Sequence, residues 1–168
     1  AVTALSSDAL EARGIGSVTE LNQVTPNLQF TPGQGGNGGA IAPFIRGVGE
    51  NDFIITADPA VGTYFDGVYV ARTFGASPEL LDVERVEVLR GPQGSLFGKN
   101  TIGGALNVVM KVPGDEPELE ADVRYGSYNN FRVRARGAVP LSESLSFSLS
   151  GLGAWGDGWQ RLSDSDDT

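Results

Sequence analysis

The feature that most restricts this chain is the alternation that fills its last third. Leu119, Ala121, Val123 and Tyr125 stand against Glu120, Asp122 and Arg124, and Phe131, Val133 and Ala135 stand against Arg132, Arg134 and Arg136. A third run sets Leu145, Phe147 and Leu149 against Ser146, Ser148 and Ser150. Successive side chains of a strand point to opposite faces, so each run has one apolar and one polar face, whereas a helix would scatter both kinds around its axis. The runs therefore read as three antiparallel strands, joined by turns at 127–130 and 140–144. The edge of a soluble sandwich and the wall of a barrel both satisfy this pattern.

Before Pro113 the pattern is different. Asp8 to Glu11 places a capping acceptor three residues ahead of a Glu, and Ser17-Val18-Thr19-Glu20 is a capping box followed by Leu21 and stopped by Pro26, so two short helices are expected. Residues 31–39 are Thr-Pro-Gly-Gln-Gly-Gly-Asn-Gly-Gly, too costly in backbone entropy for regular structure. Strand signals start at Ile41. Val61–Phe65 and Val68–Arg72 flank Asp66-Gly67, the pair a type I′ hairpin turn favours because both central residues need positive φ. Ser77-Pro78 predicts a short helix through Leu81. Val86 and Val88 alternate with Arg85 and Glu87 in a half-buried strand that breaks at Gly91-Pro92; a Gly-rich loop to Gly104 then leads into a strand over 105–112. The expected class is α+β: a small mixed domain over 1–112, a linker at Pro113-Gly114-Asp115-Glu116-Pro117, and antiparallel strands over 118–168.

Composition removes whole classes of function. Lys and Arg number 12 against 21 Asp and Glu, a net charge of −9, which repels a phosphate backbone and argues against a nucleic-acid partner. No His and no Cys are present, so Ser-His-Asp and Cys-His catalysis, disulfides, iron–sulfur clusters and the common zinc sites are excluded. No apolar run approaches the roughly 18 residues of a membrane helix, although a membrane strand needs only about ten alternating ones. The chain opens at Ala1 with no basic or apolar leader and reads as a mature or excised piece.

Motifs with a chemical meaning fail on context. Gly33-Gln34-Gly35-Gly36-Asn37-Gly38 fits the dinucleotide fingerprint, but Pro32 and Pro43 hem it in where a strand and a helix are required. Gly98-Lys99 lacks the earlier Gly and the following Ser or Thr of a P-loop, since Gln93 and Asn100 stand there. The acidic tail Asp164-Ser165-Asp166-Asp167 has no turn Gly for a calcium loop. Glu84 and Glu87 lie on the predicted strand with Arg85 and Arg90 nearby, which favours ion pairing over acid–base chemistry. No catalytic set, metal site or cofactor site is expected.

The run from Asp82 through Glu84-Arg85-Val86-Glu87-Val88-Leu89-Arg90-Gly91-Pro92-Gln93-Gly94 to Gly98, continuing over Gly103-Gly104-Ala105-Leu106-Asn107-Val108-Val109, resembles the plug domain of TonB-dependent outer-membrane receptors. Phe44-Ile45-Arg46-Gly47 is similar to that family's I-R-G segment, and Tyr64-Phe65-Asp66-Gly67-Val68-Tyr69 to its D-G-V hairpin. Val2-Thr3 and 21–26 fit its first strand and helix. The likeness covers 1–112 as plug and 118–155 as the first barrel strands.

The resemblance implies a plug seated in a barrel of about 22 strands in the outer membrane of a Gram-negative cell. It implies uptake of an external small molecule or metal chelate, such as a ferric siderophore, driven through the TonB energy-coupling protein. Three strands close no barrel, so the rest of the wall and the TonB-contact segment are expected elsewhere, and Trp155 and Trp159 are expected in an aromatic girdle. The plug's upper loops imply ligand contacts from Gln34, Asn51, Asp52, Arg72 and Phe74. Arg46 and Arg90 imply a latch to carboxylates of the barrel wall, with pairing inside the plug to Glu84, Glu87 or Glu50 as the alternative. The expected partners are TonB, the chain's own barrel, the ligand and outer-membrane lipid. A soluble plug-like binding module without transport is the alternative function.

Overall fold

The computed structural model describes residues 2–32, 41–50, 58–70, 80–142 and 144–157. The chain divides into two compact units, Ala1–Val112 and Pro113–Thr168.

The first unit is built on a five-stranded mixed sheet. In chain order its strands are β1 (Val2–Ser6), β5 (Val61–Phe65), β6 (Val68–Tyr69), β7 (Val83–Arg90) and β8 (Gly104–Met110), in spatial order β1-β7-β8-β5-β6. β7 runs antiparallel to β1 and β8, and β8 runs parallel to β5, a pairing that brings Val61 beside Gly104 across a long connection. A smaller sheet orders β2 (Leu28–Pro32), β3 (Ile41–Ile45) and β4 (Val48–Gly49).

One face of the large sheet carries the main core. Leu5, Val86, Val88, Leu106 and Val108 pack there with Leu10, Val18, Leu21, Leu28 and Ile45. Each fully buried Val or Leu of this set contributes about 1.5–3 kcal/mol over leaving it in water. The opposite face holds a smaller cluster of Tyr64, Leu89 and Ala105 with Tyr69 and Phe97. Gly104 at the start of β8 has φ +150°, and any Cβ there would collide with the Leu89 carbonyl oxygen, so the β7–β8 approach depends on its bare backbone.

The helical segments are short, as expected, and the structure corrects their caps, type and extent. Helix α1 (Ser7–Glu11) is capped by Ser6, whose hydroxyl accepts from the Ala9 N–H at 3.3 Å; Asp8 lies inside the first turn because the extended backbone that a cap needs belongs to Ser6. The capping-box Glu20 accepts from the backbone N–H of Gly16 at 2.7 Å and of Ser17 at 3.1 Å, but the segment it starts, Val18–Gln23, is a 3₁₀ helix. Leu80 and Leu81 are not helical, and the rest of the expected 77–81 helix lies outside the described residues. Thr31 and Pro32, expected in loop, instead pair with Ala42 and Ile41 at the end of the β2–β3 hairpin. The 91–104 loop contains a four-residue helix, α2 (Gly94–Phe97).

The second unit is an antiparallel meander of β9 (Glu118–Gly126), β10 (Asn130–Ser142) and β11 (Leu145–Trp155), with β10 in the middle. The β9–β10 turn falls where expected. β10 runs on through Pro140 to Ser142, three residues into the predicted 140–144 turn, and its ladder shifts register between those residues. Proline supplies no ladder N–H, so an irregularity in the ladder there is its usual setting.

Candidate functional site

The hairpin turn between β5 and β6 is bolted to β8. Asp66 (φ 49°) and Gly67 (φ 77°) both adopt the left-handed conformation that a type I′ turn requires. The Asp66 N–H donates to the Val108 carbonyl at 2.9 Å, the Gly67 N–H donates to Asn107 Oδ1 at 3.2 Å, and Asp66 Oδ1 accepts from the Met110 N–H at 2.9 Å. Asn107 is only 8% exposed and spends both ends of its amide, because Nδ2 donates to Glu87 Oε2 at 3.0 Å. On β7, Arg85 then donates through Nε to Glu87 at 2.7 Å and through Nη1 to Glu84 at 2.6 Å. A continuous polar line thus runs from Glu84 along β7, across β8 and onto the hairpin turn. The Asn107 bond, followed by the Arg85 bond, holds the Glu87 carboxyl below the ordinary carboxylate range, and the Glu87 bond raises Arg85.

The Gly-rich loop closes over the other end of the sheet. Tyr64 donates from its hydroxyl to the Phe97 carbonyl at 2.7 Å, and its ring lies 4.7 Å from Phe97 and 5.4 Å from Tyr69. Asn100 reaches the Tyr69 hydroxyl at 3.0 Å. Burial raises the Tyr64 hydroxyl above its usual value.

The arginines separate into two kinds. Arg46 and Gly47 form the two-residue turn between β3 and β4, with φ 55° and 78°, and the Arg46 N–H donates to the Asn27 carbonyl at 2.8 Å. A left-handed Arg costs about 1–2 kcal/mol against a relaxed backbone. Its exposed guanidinium has no ion pair among the described residues. Arg90 is engaged within its own unit: Nη2 donates to Thr3 Oγ1 and Nη1 to the Pro26 carbonyl at 3.3 Å. The alternative pairing of Arg90 with Glu84 or Glu87 is corrected here, because both carboxylates belong to Arg85, which lies one and two residues away along β7.

The meander has two chemically distinct faces. Leu119, Val123, Tyr125, Phe131, Phe147, Leu149 and Trp155 are all exposed, and the Phe131 and Trp155 rings lie 6.0 Å apart. The opposite face carries a ladder of ion pairs. Asp122 Oδ1 accepts from Arg124 at 3.0 Å and from Arg134 at 3.1 Å, and Arg136, with only 5% of its side chain exposed, meets Glu118 at 2.5 Å.

With this geometry in view, the comparison with known proteins decides the family. A model described as the TonB-dependent receptor plug domain matches residues 1–105. The chain belongs to the TonB-dependent receptor plug family. The pesticin receptor of Yersinia pestis is 32% identical over 146 residues, covering 86% of this chain and 21% of the relative. The iron-regulated outer membrane virulence protein of Vibrio cholerae is 28% identical over 165 residues, covering 89% of this chain and 24% of the relative. The solved ferric yersiniabactin uptake receptor FyuA from Yersinia pestis superposes with a TM-score of 0.79 at 28% identity, over 90% of this chain and 23% of that one. The chain therefore spans about a fifth to a quarter of the length of these relatives, of which the Vibrio cholerae protein is named for the outer membrane, and that membrane is where the plug belongs.

Of the residues singled out from sequence, the structure assembles Glu84 and Glu87 around Arg85, places Arg46 at an exposed turn, and turns Arg90 into the plug. Gln34, Asn51, Asp52, Arg72, Phe74 and Trp159 lie outside the described residues. Asn107 and Thr3 were not singled out. For Asn107 a signal exists: an amide within the apolar run 105–109 must find buried partners. For Thr3 none exists.

Proposed function

We propose that this chain is the gating plug and the first three wall strands of an energy-coupled outer-membrane receptor that imports a scarce nutrient of the ferric-siderophore class. The observation that carries this reading is the meander. Its large apolar side chains stand exposed on one face while its charges pair on the other, the arrangement a strand needs with lipid on one side and a polar lumen on the other. A soluble module without transport would leave that apolar face in water, which makes the binding-only alternative the weaker reading.

In this reading the plug closes the lumen, TonB acts on it, and the chain completes its barrel with strands beyond those described. The ligand is received by loops bearing Gln34, Asn51, Asp52, Arg72 and Phe74. Arg46 is the better-supported half of the wall latch. It holds a strained backbone at an exposed turn and a guanidinium with no ion pair among the described residues, and arginine binds a carboxylate through a planar fork that never deprotonates. Arg90, Glu84 and Glu87 contribute from inside the plug. No step requires a catalytic residue or a cofactor.

The test is uptake of radioactive iron as siderophore complexes by cells expressing the full-length receptor, in strains with and without TonB. Accumulation that needs both receptor and TonB is expected. Binding at the cell surface with no TonB-dependent accumulation would favour the binding-only alternative.

A further inference from the structure

Strand β1 is the least secured strand of the large sheet that has a full ladder. Among the described residues it lies at an edge, pairs only with β7 over five positions from Val2–Leu89 to Ser6–Arg85, and buries a single side chain, Leu5. Its neighbour β7 buries Val83, Val86, Val88 and Leu89. An edge strand with one buried anchor has little hydrophobic hold, and such segments open ahead of the structure around them.

One side chain compensates. Arg90 crosses from the end of β7 to donate to the Thr3 hydroxyl and to the Pro26 carbonyl, joining segments 87 and 64 residues away in sequence. Its Nε is buried without a hydrogen-bond partner among the described residues, while the Nη1 contact to Pro26 stays exposed, so the guanidinium lies half-buried along the plug surface. The far end of β1 is held separately, by the Ser6 cap on α1.

We propose that Arg90 is a clamp on the N-terminal strand, and that β1 is a separately releasable element of the plug whose detachment is governed by the Arg90–Thr3 contact. Arg90 is then a positioning residue, acting through Thr3 and the Pro26 carbonyl rather than through any ligand. The clamp is a property of the resting plug and does not depend on which cargo the receptor takes.

Hydrogen exchange of the full-length receptor in detergent micelles, followed by mass spectrometry of segments 2–9, 24–28 and 104–110, tests this. Thr3→Val keeps the side-chain shape and favours a strand, yet removes the acceptor, so it should speed exchange in 2–9 about tenfold while 104–110 is unchanged. Thr3→Ser restores the hydroxyl and should keep wild-type protection. Arg90→Ala should repeat the Thr3→Val effect and also loosen 24–28. Wild-type protection of 2–9 in Thr3→Val, equal loss in 2–9 and 104–110, or a Thr3→Ser variant as loose as Thr3→Val would overturn the clamp.

Discussion

Replacing Asn107 by Ala removes a side chain that joins the ion-paired strand to the hairpin. Two hydrogen bonds disappear. The bond to Glu87 at 3.0 Å involves a carboxylate whose side chain is 25% exposed, so its loss belongs at the low end of the range for charged partners, about 1.5 kcal/mol. The bond from the Gly67 N–H at 3.2 Å adds about 1 kcal/mol. The turn should not detach, because Asp66 keeps its bonds to the Val108 carbonyl and the Met110 N–H. Asn107→Ala is thus expected to cost about 2–3 kcal/mol of local stability. By hydrogen exchange in the full-length receptor, this would be read as roughly 30- to 150-fold faster opening of 61–69. Asn107→Asp adds a sign test. In the wild type the depressed Glu87 carboxyl contributes stability above the ordinary carboxylate range, and that contribution is lost as pH falls through its lowered value. In Asn107→Asp two carboxylates face each other and a shared proton supplies the missing donor, so that pair is held better in acid and worse as pH rises above the ordinary carboxylate range. A change of less than threefold in Asn107→Ala, or the same pH trend in both proteins, would refute the account of the polar line.

Three further outcomes are expected. Limited proteolysis of the 168-residue chain should trim it to a core ending near Pro113, since the meander is without its neighbouring wall strands; equal resistance of both halves would refute the boundary. In the full receptor, Arg72→Ala with Phe74→Ala should weaken ferric-siderophore binding at least tenfold by equilibrium titration, and unchanged affinity would remove these residues from the ligand site. Arg46→Ala should admit small antibiotics that the wild type excludes, scored as increased susceptibility of expressing cells, and an unchanged barrier would remove Arg46 from the latch.

Several features were readable from sequence because their physical cause is local. Strand period is written in neighbouring residues, so the meander from Leu119 to Leu149 was visible before any partner strand was known. The Asp66-Gly67 turn follows from which residues tolerate positive φ, and the Glu20 half of the capping box from a three-residue spacing. Other features needed the tertiary structure because several local solutions compete or the partner is remote. Ser6 and Asp8 are both able to cap α1, and only the extended backbone entering from β1 selects Ser6. Arg85 and Arg90 both lie within reach of Glu84 and Glu87 along the chain, but the packing of β1 and Pro26 against the end of β7 draws Arg90 away and leaves both carboxylates to Arg85. Asn107 becomes a junction only because β8 lies between β7 and β5, a parallel pairing across some forty residues that no local pattern encodes. Residue chemistry and period set which elements this chain can form. Burial and long-range pairing decided which of its charges meet.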